Sequence, residues 1–267
     1  LNTPFAFTEK WQSVPNTYNA GVLLNNSIDN VTLVGAYVGQ VNSTGSFKVN
    51  NNGAMATLAN EIYAFGGMYK NAGISANLWA YNVVSTEMAY WLDLGTKVAG
   101  VSVKAIAAMK DPAVTTATSD TATAFAISAG TKVGDIQLFA AYSTVSDDGQ
   151  QFGNYGTGHK KTKLPTMGVY TDGMYVAQSG SDAFKIKAAT KIAGTGLALQ
   201  YVNNSNDTVA NAAMDDMNEI DLIISRKLGD FNVKAILMNR DGYGMDGKPA
   251  TQTGSQQHVR VVTSLNF

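Results

Sequence analysis

Val259-Arg260-Val261-Val262-Thr263-Ser264-Leu265-Asn266-Phe267 reads with a period of two. Val259, Val261, Thr263, Leu265 and Phe267 fall on one face, and His258, Arg260, Val262, Ser264 and Asn266 on the other. Successive strand side chains point to opposite sides, so this is a strand with one apolar and one wet face. The same pattern recurs upstream. Phe231, Val233, Ala235 and Leu237 alternate with Asn232, Lys234, Ile236 and Met238, and Phe184, Ile186, Ala188, Thr190 and Ile192 with Lys185, Lys187, Ala189 and Lys191. Val101, Val103, Ala105, Ala107 and Met109 alternate with Ser102, Lys104, Ile106, Ala108 and Lys110. Helix start and stop signals are weak throughout, and no amphipathic helix stands out.

Extending this reading gives thirteen candidate strands: 17–25, 31–41, 60–70, 74–84, 87–98, 101–110, 121–132, 135–145, 182–193, 196–204, 217–227, 230–240 and 256–267. Most are close to the length that crosses a bilayer core when tilted. Short turns such as Asn71-Ala72-Gly73, Ala99-Gly100 and Gly194-Thr195-Gly196 alternate with long polar or Gly-rich connections near 42–59, 111–120, 147–180, 205–215 and 241–254. One connection, at Ser85-Thr86, is short where a long one is due. Short turns at one end and long loops at the other are the pattern of a transmembrane β-barrel. An odd strand count leaves an unpaired edge, which lipid does not tolerate. The expectation is that further strands precede Leu1.

A soluble β-sandwich also alternates. Two features favour the membrane. The wet face is rich in Lys, Asn, Ser, Gln and Gly, which suits a water-filled lumen. Aromatic residues near strand ends (Tyr37, Tyr63, Tyr69, Tyr81, Tyr90, Trp91, Tyr142, Tyr201 and Phe267) are assigned to the apolar face, where ring and polar tip suit the membrane–water interface.

Composition narrows the function. Among 267 residues, Lys+Arg 19 against Asp+Glu 20 leave a net charge of -1, without the basic excess of a nucleic-acid binder. Cysteine is absent, so disulfides and thiolate metal sites are excluded, and the two histidines, His159 and His258, lie far apart. Neither forms a nucleophile–base constellation, so no enzyme is expected. The pairs Asp147-Asp148 and Asp215-Asp216 are too small a ligand set to argue a metal site, and no cofactor is expected. Gly156-Thr157-Gly158-His159-Lys160-Lys161-Thr162-Lys163 lacks the spacing and strand–loop–helix context of a phosphate loop and reads as an external loop.

The ending quoted above resembles the last strand of Gram-negative outer-membrane proteins, in which the terminal aromatic, here Phe267, is part of the signal to the barrel-assembly machinery. A second resemblance lies at the other end. Thr3-Pro4-Phe5-Ala6, Trp11, Val14-Pro15-Asn16-Thr17-Tyr18-Asn19-Ala20-Gly21-Val22-Leu23-Leu24-Asn25-Asn26-Ser27-Ile28 and Val31-Thr32-Leu33-Val34-Gly35-Ala36-Tyr37 resemble the OprD-type porins at the end of their inward-folded third loop. The resemblance implies an eighteen-stranded barrel in which that loop follows the fifth strand. Five and thirteen make eighteen. Residues 1–267 then form one β-barrel domain lacking its first strands, with 1–16 the end of the constriction loop and 17–267 barrel strands and loops.

On this reading the protein sits in the outer membrane of a Gram-negative bacterium, in contact with its lipid, as a homotrimer or a monomer. It passes small polar solutes by diffusion. The alternative is a surface β-barrel whose long loops bind a ligand, an adhesion role. Wet-face cations outnumber wet-face acids, and the family resemblance implies a basic ladder that guides carboxylates. The candidates are Lys104, Lys185, Lys187, Lys191, Lys234 and Arg260, with Glu9, Lys10 and Trp11 as constriction candidates.

Overall fold

The computed structural model describes residues 2–10, 15–42, 56–114, 120–147, 149–206, 217–243 and 253–265. Thirteen strands form one sheet: β1 (Thr17–Ile28), β2 (Val31–Asn42), β3 (Ala56–Asn71), β4 (Ile74–Val83), β5 (Glu87–Val98), β6 (Val101–Pro112), β7 (Ala122–Val133), β8 (Ile136–Val145), β9 (Ser181–Ile192), β10 (Thr195–Asn206), β11 (Met217–Leu228), β12 (Phe231–Tyr243) and β13 (Thr253–Leu265). Every strand pairs antiparallel with its neighbour in sequence, in the order β1 to β13. These strands match the thirteen read from alternation, with ends displaced by a few residues. The only α-helix among the described residues is the single turn α1 (Gly173–Val176).

The short turns explain the tight hairpins. In Ala72-Gly73, Ala99-Gly100 and Ala193-Gly194 both central residues have positive φ. That is the conformation whose twist matches the flanking strands. Gly adopts it freely, whereas each Ala is held there against its own preference. The β4–β5 connection is the short one the sequence showed, turning through Ser85 at φ 59°.

The two faces of the sheet differ sharply. The outer face carries Leu23 (79% exposed), Phe65 (63%), Leu78 (58%), Ile127 (54%), Leu199 (55%) and Val259 (72%). No second layer covers them among the described residues, which a sandwich would require. So extensive an apolar surface is the mark of a wall that meets lipid rather than water. Near the long-loop end of this face, tyrosine hydroxyls find polar partners: Tyr37 donates to Glu61 (2.8 Å), Tyr142 to Asp182 (2.6 Å) and Tyr201 to Asn218 (2.5 Å). Two aromatics assigned to this belt lie on the other face. Tyr81 and Trp91 are 0% and 1% exposed and point inward, because their register pairs them with Ala64 and Ala89 (Tyr81) and with Trp79 and Ala108 (Trp91).

What they pack on is a plug. The β8–β9 connection was expected to lie outside. Instead it folds against the inner face together with residues 2–9. The reason is its composition. Phe152, Leu164, Val176 and Ala177 are buried, and Phe5 is buried among Tyr81, Trp91, Phe152 and Tyr155 at ring separations of 5.3–6.2 Å. Burying one such ring contributes about 2–3 kcal/mol. The two plug segments are joined by the Tyr155 N–H donating to the Phe5 carbonyl at 2.8 Å.

Candidate functional site

Three sets of contacts fix the plug to the inner wall. At the first, Lys110 of β6 and Glu87 of β5 form an ion pair (3.0 Å) with side chains 1% and 5% exposed. The Tyr155 hydroxyl donates to the same Glu87 oxygen, and the ammonium lies 4.4 Å from the Tyr155 ring centroid and 5.3 Å from that of Phe5. A buried charge needs this much compensation. The Tyr155 phenol is itself pushed well above its ordinary pKa by burial and by the Glu87 charge.

The second set centres on Asn154. Its Nδ2 donates to the Phe7 carbonyl (2.8 Å) and to Glu9 Oε1 (2.9 Å), and its Oδ1 accepts from Tyr18 (2.9 Å). Glu9 Oε1 also accepts from the Thr157 hydroxyl (2.5 Å). Beside this hub the His159 imidazole is held down at about 4, by burial first and then by the Lys110 charge.

The third set is on β11 to β13. The Glu219 carboxylate accepts from the backbone N–H groups of Val169 (2.6 Å), Tyr170 (3.0 and 3.1 Å) and Thr171, and from the Thr171 hydroxyl (2.9 Å). Tyr170 stacks on His258 (4.8 Å), its hydroxyl accepts from Arg260 (2.7 Å), and its carbonyl accepts from Arg240 (3.3 Å).

Between the plug and the wall, towards the short-turn end, lies a cavity of about 530 Å³. Lys97, Lys132, Lys185 and Lys187 line it with Phe139, and Pro165 of the plug roofs it. The inner-face carboxylates are committed elsewhere. Glu87 and Glu219 hold the plug, and Asp221 accepts from Gln200 (2.6 Å). Asp93 accepts from Asn77 (2.7 Å), Trp91 (3.1 Å) and Lys104 (3.0 Å). No carboxylate is among the cavity's lining residues, although Asp135 in the β7–β8 turn pairs with Lys132 at 3.8 Å.

The predicted residues distribute as follows. Lys185 and Lys187 line the cavity, Lys185 donating also to the Met167 carbonyl (2.7 Å). Lys104 is half exposed beside Asp93. Lys191 and Lys234 are exposed on the inner faces of β9 and β12. Arg260 is engaged with Tyr170. Glu9 is 3% exposed and serves the plug's internal bonding, while Lys10 is exposed. Trp11 and Phe267 lie outside the described residues. Alternation alone did not distinguish Lys110, Glu87 and Glu219 from their wet-face neighbours. The available signal was the apolar content of 152–176, too high for a solvated loop.

No protein family matches the sequence, and no curated protein does. Solved structures do. The chain aligns with Pseudomonas aeruginosa OccK7 (OpdD) at a TM-score of 0.76 and 14% identity, covering 99% of this chain and 72% of that one. Pseudomonas aeruginosa OpdQ aligns at 0.75 and 16% identity, covering 99% and 75%. Pseudomonas aeruginosa OccK3 (OpdO) aligns at 0.75 and 14%, covering 98% and 72%. The chain has their fold. These neighbours are OprD-type porins, so the resemblance read from the termini and the architecture point the same way.

Proposed function

We propose that the protein is an outer-membrane porin of a Gram-negative bacterium, a water-filled channel through which small hydrophilic solutes diffuse, with carboxylate-bearing solutes favoured. The apolar outer face supports the membrane setting, and the shared fold supports the porin class. In this reading the sheet closes through strands beyond these thirteen. The supporting observations are that β1 and β13 do not pair with each other among the described residues and that the chain spans about three quarters of its structural neighbours.

The observation that carries the solute preference is the cationic cavity, which has four lysines and no carboxylate among its lining residues. Clustered ammonium groups in a confined passage attract anions and raise their local concentration. Lys104, Lys185, Lys187, Lys191, Lys234 and Arg260 remain the candidates, with Lys185 and Lys187 central and Arg260 tied to Tyr170. The adhesion alternative gains no such observation, since the β8–β9 connection turns inward.

The test is electrical. The complete protein in planar bilayers should open steady channels, and its reversal potential in a salt gradient should show anion preference. K187E/K191E should move that potential towards cations. Absence of channels would defeat the porin reading; cation preference in the unmodified protein would defeat the carboxylate reading alone.

A further inference from the structure

The outer wall is not uniformly bulky. Where β7, β8 and β9 meet, three outer-face positions are alanine. Ala129 of β7 pairs directly with Ala140 of β8, and Ala188 of β9 pairs with Leu138 on one side and Leu199 on the other. Small side chains leave the pleated surface unfilled. A trough of about 660 Å³ results, with the alanines as its floor and Leu138, Ile186, Leu199 and Ile220 among its sides. Those four side chains are exposed, like the apolar wall around them. The trough therefore opens onto the same lipid as the rest of the outer face.

Its polar side chains are already engaged. The Thr131 hydroxyl donates to the Gly100 carbonyl (3.5 Å), and the Tyr201 hydroxyl to Asn218. Lys187 and Gln200 border the trough from strands whose inner face they occupy, Lys187 lining the lysine cavity and Gln200 donating to Asp221. A protein partner forms about one hydrogen bond per 100–200 Å² of interface, and these side chains offer it none. Water gains nothing either, because apolar cavities stay dry. A hydrocarbon chain needs no hydrogen bond. Its free torsions let it follow an irregular floor and recover the dispersion contacts that the alanines leave unmade.

We propose that the trough across β7 to β10 seats one acyl chain of a membrane phospholipid. The proposal rests on the membrane setting of the outer face and is independent of any solute. Its test places the complete protein in vesicles of phosphatidylethanolamine and phosphatidylglycerol, with a small fraction of phosphatidylethanolamine carrying a photoactivatable diazirine midway along one chain. Labelled residues are mapped by peptide mass spectrometry. Label should favour the trough residues Ala140, Ala188 and Leu199 about threefold or more over Phe65 and Leu78, bulky residues of the same lipid-facing wall. A140F/A188F fills the floor from the lipid side, away from the plug and the lysine cavity. It should bring the trough down to the level of Phe65 and Leu78 and leave the conductance unchanged. A188L, a milder filling, should remove part of the excess. Even labelling across the wall in the unmodified protein would reduce the trough to ordinary lipid contact and overturn the inference. The chain has no cysteine, so A188C introduces a single thiol. A disulfide-linked dimer of A188C in the vesicles would put a second copy of the chain over the trough and overturn the inference in another way. If neither region takes label, the lipid-facing reading of the wall falls and the inference falls with it.

Discussion

The inner wall uses lysine in two opposite ways. Around Lys110 the ammonium is buried, paired with Glu87 and ringed by aromatic faces. Around Lys187 the ammonium borders an open cavity with no acid opposite. Both residues sit on the same face of the same sheet. What separates them is how the plug meets them: it packs directly on Lys110, whereas it only roofs, through Pro165, the cavity that Lys187 borders. A charge under the plug must be neutralised in place and becomes structural; a charge beside it keeps its field for whatever passes.

The largest test of this contrast removes one partner of the buried pair. E87Q leaves the Lys110 charge uncompensated, and such losses destabilise by about 3–5 kcal/mol. The expected result is a plug that leaves the wall, read as noisy, enlarged single-channel currents and faster proteolysis within 149–180. E87Q/K110M should recover most of the quiet current, because two neutral groups of similar bulk pack without an orphan charge. If E87Q alone stays quiet, the pair is not a clamp.

The Glu219 contacts should matter less. E219Q keeps the shape but loses charge-assisted bonds to Val169, Tyr170 and Thr171, about 1–3 kcal/mol. Faster hydrogen exchange at those three amides, with the Lys110 side unchanged, is the expected reading. Uniform exchange across the plug would show that it moves as one body.

Acidity provides a finer probe. The His159 imidazole is held at about 4 in the seated plug, against 6.5 when free. Between those values the released form binds the extra proton, so the seated plug is fully favoured above about 6.5 and loses stability as pH falls towards 4. Current fluctuations should increase over that window. H159N, which does not titrate and tolerates the positive φ of 63° there, should remove that part of the response.

The strands and their wet and apolar faces were legible in the sequence because alternation is a local property. The inner-face position of Lys104, Lys185 and Lys187 was legible for the same reason. Tyr81 and Trp91 were misplaced because an aromatic near a strand end reads the same whether it meets lipid or plug. The plug itself was illegible as such. Phe5 and Tyr155 lie far apart in the chain, and their contact depends on the assembled wall that brings them together. The bonding of Glu9 was illegible with it, since it depends on Asn154 and Thr157 far along the chain.

The smallest expected effect concerns the hairpins. Replacing Ala72 or Ala193 with Asn relieves a left-handed residue without touching either face, and should slow unfolding in denaturant by an amount equivalent to about 1 kcal/mol.

The strict meander has a kinetic consequence. Each strand finds its partner next door, so the wall can zip up through a series of small loop closures. The Phe5–Tyr155 contact instead joins segments separated by eight strands. Its closure becomes affordable only when the ribbon has already curled. Pulse-labelled exchange during refolding should therefore show strand amides protected first and those of 152–157 last, which makes the plug the final part to set.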